Sequence, residues 1–341
     1  MVSRRTFIAS TLSAGVVMSP WSTKMTNAQN PNAQLERNKA SVVRLKKSQG
    51  TPEQKAVEAE LLAPNFKRLR AGSHNFATNA EGQGFPSTGV NLRAAFPDRV
   101  DVIEEIIAEH DRVGLLFRLT GTHQGNFFGI PATGRKVDVY EAGIYRLTEG
   151  KVSEAWFMLD ELGMLLQLGA TLPERKDGKR IAPPITDAGE DGDVVLQRLL
   201  AKPPTTPEDR NKVIVARSKS SMPSKTDRSP DYKQRRLGLQ HLRDYGHAHG
   251  TAEFTPTRAF PGRNDRITGM IAEGEKVWMQ FNLRGTHQAS FYGFPATGRR
   301  VEMPEIGIMR IVDGKWVDGW YFGDELGILL QLGALDMIRN A

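Results

Sequence analysis

The chain has 341 residues, a net charge of +7 and no cysteine. That length suits two domains, each large enough to bury a core of its own. The missing cysteine excludes disulfides, thiolate metal sites and thiol nucleophiles, and the Lys and Arg residues are too dispersed to outline a nucleic-acid footprint.

At the start, Ser3-Arg4-Arg5-Thr6-Phe7 precedes a weakly apolar run to Met18 and small polar residues through Ala28. Paired arginines before a short apolar region look like a twin-arginine export signal over residues 1–28, which implies a periplasmic or secreted protein. The run is too short for a permanent transmembrane helix, and no other stretch is apolar enough, so no stable membrane anchor is expected. Without Arg4, Arg5 and Lys24 the remainder carries about +4.

The first domain is placed at residues 33–172. Valine and leucine recur at helical spacing over 36–48, and Pro52 opens a second helix with Val57, Leu61 and Leu62 on one face. Ser73-His74-Asn75 and a Gly-rich loop over 81–89 follow. A long strand over 113–123 ends at His123, before a Gly/Pro loop over 125–134. A hairpin then turns at Glu149-Gly150. Residues 173–206, with Pro183-Pro184, a short helix around 194–200 and Pro203-Pro204, read as a linker.

The second domain, residues 207–338, repeats the plan. Residues 121–168 and 285–332 superpose without a gap, placing His123 on His287, Trp156 on Trp320 and Asp160 on Asp324. Arg37-Asn38-Lys39 is echoed by Arg210-Asn211-Lys212 at a longer spacing, so the second copy is shorter between its first helix and Phe260-Pro261. The two pocket mouths should therefore differ, with Asp324 wetter than Asp160.

The hairpin turns Glu149-Gly150 and Asp313-Gly314 suit a two-residue type I′ turn. Counting back, Met158 faces Glu141 and Trp156 faces Gly143, while Phe322 faces Glu305 and Trp320 faces Gly307. Alternation then gathers Trp156, Met158, Asp160, Glu141 and Tyr145 on one face, and Trp320, Phe322, Asp324, Glu305 and Met309 on its counterpart. Arg146 and Arg310 point the other way. Two carboxylates sharing an apolar cavity cannot both stay charged easily, and the raised pKa that results suits a general acid/base.

The motif G-T-H-x-x-x-F-x-G-x-P-A-T-G, a strand ending in Arg, G-K, and W-x-x-x-D-E-L-G-x-L-L-Q-L-G resembles the SnoaL-like polyketide cyclase (ester cyclase) family of the nuclear-transport-factor-like superfamily. The resemblance covers most of both domains. It implies an α+β fold of two cone-shaped barrels, each a curved mixed sheet wrapped by N-terminal helices, paired within the chain as a pseudo-dimer. It also implies that the Asp four residues after the Trp, here Asp160 and Asp324, is the acid/base of an intramolecular aldol closure.

Each reading has a plainer rival. Asp160 and Asp324 precede short apolar helices closed by Gly169 and Gly333, where an aspartate caps the helix. Trp156 and Trp320 could be core rather than a substrate platform. His123 and His287 could fasten the Gly-rich loop or shuttle protons. His241, His247 and His249 lie close together but lack an acidic or Cys partner at a metal-site spacing. No phosphate loop, dinucleotide fingerprint, HExxH or nucleophile elbow occurs, so neither cofactor nor metal is expected. The leading expectation is cofactor-free acid/base cyclisation of a small apolar carbonyl compound. A non-catalytic module that binds such a compound, or a structural tandem, stands against it.

Overall fold

The computed structural model describes residues 31–82, 92–172, 175–177, 179, 181, 187–249 and 256–335. The export-signal assignment and most of the 81–89 loop lie outside these residues. Helices α1 (Pro31–Ser48) and α2 (Gln54–Leu61) lead into β1 (Leu62–Arg70), α3 (Ala71–Gly82) and α4 (Leu92–Ala95). The antiparallel strands β2 (Val100–Glu109), β3 (Arg112–Thr122), β4 (Lys136–Thr148) and β5 (Lys151–Leu159) follow, then α5 (Glu161–Leu168). After α6 (Gly192–Leu200), the plan recurs as α7 (Pro207–Arg217), β6 (Arg228–Arg235), α8 (Leu237–Ala248) and α9 (Pro256–Ala259). It closes with β7 (Asn264–Glu273), β8 (Lys276–Thr286), β9 (Arg300–Val312), β10 (Lys315–Gly323) and α10 (Glu325–Leu332). No helix among the described residues is long and apolar enough to cross a membrane.

Two five-stranded mixed sheets result, ordered β1-β5-β4-β3-β2 and β6-β10-β9-β8-β7. The first strand of each is parallel to its neighbour and the rest are antiparallel. The end strands do not pair with each other, so the expected cones are open sheets rather than closed barrels. Val42, Leu45, Val57 and Leu61 from α1 and α2 pack onto Val113, Leu115, Phe117, Tyr145 and Phe157, defining an inner face. In the second domain a single 3₁₀ turn (Lys225–Asp227) stands where α2 would be. Val195 and Leu196 of α6 join α7 on that domain's inner face, beside Met309.

The hairpin turns form as expected, with positive φ at Glu149 (51°), Gly150 (78°), Asp313 (48°) and Gly314 (70°). The register deduced from them does not hold. Leu147 pairs with Val152 but Arg146 with Glu154, leaving Ser153 as an extra residue. Val317 is extra in the same way between Trp316 and Asp318. A bulge adds one residue, and one residue exchanges the faces of a strand. Glu141 therefore opposes Leu159, and Trp156 opposes Ile144. Glu141, Tyr145, Glu305 and Met309 keep the inner face, whereas Trp156, Met158, Trp320 and Phe322 turn outward with Arg146 and Arg310.

That outer face is where the domains meet. Ile107, Leu116, Ala142, Ile144 and Met158 pack against Ile271, Trp278, Ile306, Ile308 and Phe322, with Trp156 and Trp320 at the margin. Trp156, Met158, Trp320 and Phe322, four of the eight residues expected to line a substrate pocket, thus belong to the interdomain contact. Symmetric ion pairs frame it, Lys39–Glu273 and Lys212–Glu109, each 2.5 Å. The centre is asymmetric. Trp278 is fully buried against Gly114, its own counterpart in the repeat, where a Cβ would lie 2.9 Å from the indole. Two tryptophans could not share that place, and a tandem chain can make the two positions different.

Candidate active site

Asp160 and Asp324 first act as caps. Oδ1 of each accepts the backbone N–H of the residue three further on, Gly163 or Gly327, at 2.9 Å. This satisfies one of the free N–H groups at the start of α5 and α10. Gly169 (φ 59°) and Gly333 (φ 74°) close these helices in the left-handed conformation. Capping leaves Oδ2 of each carboxylate outside the cap.

There the two halves diverge. Oδ2 of Asp160 lies 3.0 Å from Nε2 of His241, on α8 of the second domain. Asp324 instead accepts a 2.8 Å hydrogen bond from the side-chain amide of Asn75, on α3 of the first, at the capping Oδ1, and its buried Oδ2 has no hydrogen-bond partner among the described residues. Gly163 makes the first approach possible, since any side chain there would collide with Asp160 and His241. Burial disfavours the His241 imidazolium, but the hydrogen bond and charge of Asp160, aided by Asp244 and Glu325, outweigh it and raise the pKa above 6.5. Burial likewise raises Asp324 above its usual value, against Asn75, Gly327 and His74. The solvation expectation is reversed: Asp324 is 1% exposed and Asp160 8%. The helices that carry the cross-domain partners, α3 and α8, are both 12 residues long, and most of the shortening falls where α2 stands in the first domain.

Behind each aspartate a buried arginine holds two glutamates. Arg236 meets Glu305 at 3.0 Å and Glu325 at 2.9 Å. Arg70 meets Glu141 at 3.2 Å and, more loosely, Glu161 at 3.9 Å. One cation between two desolvated carboxylates leaves a surplus negative charge. Burial pushes Glu325 up to about 7 against the pull of Arg236, with Glu305 and Asp160 adding repulsion. Burial also lifts Glu161 well above the carboxylate range, opposed by Arg70 and reinforced by Asp324 and Glu141. Glu141 and Glu305 are therefore arginine partners and not a cavity wall. Gly72 and Gly238 admit these carboxylates, because a Cβ at either would strike Glu161 or Glu325.

The remaining expected residues take structural places. His123 and His287 are fully buried, and each Nδ1 lies 3.1 Å from Thr133 or Thr297 Oγ1 while accepting that residue's backbone N–H. Burial lowers both pKa values, so these rings fasten the Gly/Pro loop as neutral imidazoles. Neither reaches a site carboxylate. Tyr145 packs edge-on against Phe157, 5.3 Å between centroids, on the inner face. His249 stacks on Tyr245 at 4.0 Å, away from His241 in role. Sequence reading also missed Lys46, whose pKa burial lowers to about 8; it is buried 3.3 Å above the Phe117 ring and 2.8 Å from Asp101.

Cavities lie between the domains. One of about 10 Å³, room for roughly one water, touches Asp160, Gly238 and Glu325. It shares Arg235 and Trp320 with a half-open cleft of about 330 Å³ between the sheets. Chemically, the first half-site offers a carboxylate–imidazole pair whose carboxylate borders the small cavity. The second offers a sealed carboxyl and an amide that cannot carry a proton.

The model of the SnoaL-like polyketide cyclase family matches residues 57–168 and again 242–332. The chain belongs to this family. Two curated relatives are aklanonic acid methyl ester cyclases. DauD of Streptomyces sp. (strain C5) is 42% identical over 65 residues, 19% of this chain and 40% of that protein. DnrD of Streptomyces peucetius is 43% identical over 60 residues, 18% of this chain and 41% of that protein. The chain thus spans about two fifths of the length of these curated relatives. Among solved structures, a protein of Jannaschia Sp. CCS1 assigned as a SnoaL-like polyketide cyclase is 26% identical, covering 41% of this chain and 95% of that one, with a TM-score of 0.34. TsrD of Streptomyces laurentii is 22% identical over 38% and 96%, with a TM-score of 0.29.

Proposed function

We propose that this tandem SnoaL-like protein performs cofactor-free acid/base chemistry on a small carbonyl compound, at a single half-site completed by the opposite domain. The observation that carries this reading is the 3.0 Å contact between Asp160 and His241. With Nε2–H donated to Asp160, Nδ1 of a neutral His241 is the atom that accepts a proton. It would remove a proton from the carbon α to a carbonyl. The enolate carbon then bonds to a second carbonyl carbon of the same molecule, and the imidazolium returns its proton to the alkoxide. Asp160 orients the ring and stabilises the imidazolium while it lasts. Cyclase relatives support ring closure as the outcome. The paired arginines at Arg4-Arg5 favour export to the periplasm or beyond by the twin-arginine route.

The test compares Asp160→Asn with Asp324→Asn in exchange of the α-proton of a diketo ester for deuterium. Asn keeps an acceptor for the helix cap, so both should stay folded, each losing no more than about 1 kcal/mol. Only Asp160→Asn should slow exchange, by about 10²-fold or more. Equal, unimpaired exchange in both variants would leave the aspartates as caps and favour a binding module.

A further inference from the structure

We propose that the open cleft between the two sheets is a binding site for a small flat ligand carrying one anionic group and a hydroxyl. Its volume of about 330 Å³ falls in the usual range for small-molecule sites, and interfaces between domains are a common place for them. Leu116 and Ile308 form an apolar floor. Trp320 supplies an aromatic wall, with Tyr140 edge-on at 4.9 Å.

The charges select the ligand. Lys276 is neutralised by Glu105 at 2.6 Å and Arg310 by Glu275 at 3.0 Å. Arg235, exposed and 4.7 Å over the Trp320 ring, has no carboxylate partner among the described residues. It is the cation available to an acidic group on a ring lying against Trp320. Oδ1 of Asp318 is buried without a hydrogen-bond partner, a position that a ligand hydroxyl would satisfy. Glu104 on the rim, with Asp318, discourages a second negative charge.

The repeat would generate a matching cleft beside Trp156, and the chain closes it. Arg112 lies against Gly269, where any side chain would collide with the guanidinium. The linker crosses the same face of the second domain, held by Asn282 to the Asp187 carbonyl (2.7 Å), Arg266 to the Gly189 carbonyl (2.9 Å) and Asn264 to Asp191 (3.1 Å). On the first domain the strand positions equivalent to Asn264 and Arg266 are Val100 and Val102, 54% and 52% exposed. One flank is covered and one is open, so one ligand per chain is expected.

The test is calorimetric titration of the full chain with salicylate, a flat hydroxy acid, against benzoate and phenol. Salicylate should bind one site per chain, with benzoate and phenol each at least about fivefold weaker. Arg235→Gln should weaken salicylate at least about tenfold and leave phenol unchanged. Asp160→Asn should bind salicylate like the parent, which separates this site from the acid/base reading. Absence of saturable heat up to about 5 mM, or undiminished binding by Arg235→Gln, would overturn the proposal.

Discussion

Replacing Glu325 with Gln asks whether Arg236 carries one carboxylate too many. Arg236 lies within 3.0 Å of both Glu305 and Glu325, and all three are nearly sealed from water. Burial, resisted by Arg236 and reinforced by Glu305, moves Glu325 from 4.5 to about 7. A carboxyl whose pKa is raised by folding stabilises the fold while protonated. That contribution is complete below pH 4.5 and is lost as pH rises through about 7. At about 1.4 kcal/mol for each pH unit between the two values, ionisation costs the native state up to about 3.5 kcal/mol. Gln preserves size and can still accept from Arg236, but it never ionises, so Arg236 and Glu305 become a neutral pair. Urea unfolding at about pH 4 should give a stability within about 1 kcal/mol of the parent. At about pH 8.5 the variant should be more stable by about 1–3 kcal/mol. A variant less stable than the parent at the higher pH would show that Arg236 requires both charges, and the surplus-charge argument would fail.

Gly114→Val should overpack the interdomain contact against Trp278, costing about 1–3 kcal/mol and splitting a shared thermal transition into two; an unchanged single transition would place Trp278 elsewhere. Arg4→Lys with Arg5→Lys should retain the precursor in the cytoplasm, and unchanged cell fractionation would remove the export proposal.

The sequence made local chemistry legible and hid what depends on a single residue or on distance. Asp160, Asp324, Gly169 and Gly333 are readable as caps because cap and helix are adjacent. The positive-φ pair at Asp313-Gly314 is readable for the same reason. Ser153 and Val317 are ordinary strand residues, with no Gly or Pro to announce a bulge, yet each inverts every face assigned after it. Trp156, Met158, Trp320 and Phe322 were misplaced by that alone. His241 and Asn75 were hidden differently, lying 81 and 249 residues from their aspartates. Arg70 and Arg236 share an Arg-x-Gly signature with Gly72 and Gly238. It falls between the two spacings of the repeat, so no gap-free superposition displays it.

The most direct test of the composite site converts one half into the other. His241→Asn gives Asp160 the amide partner that Asp324 already has, and α-proton exchange is then measured across pH beside the parent. The parent rate should rise on a limb above pH 6.5, where His241 loses its proton, because Asp160 holds that pKa up. In His241→Asn the limb should vanish and the rate fall by about 10²-fold or more, with the melting temperature little changed. Survival of both rate and limb would contradict the assignment of His241 as the proton-transfer group.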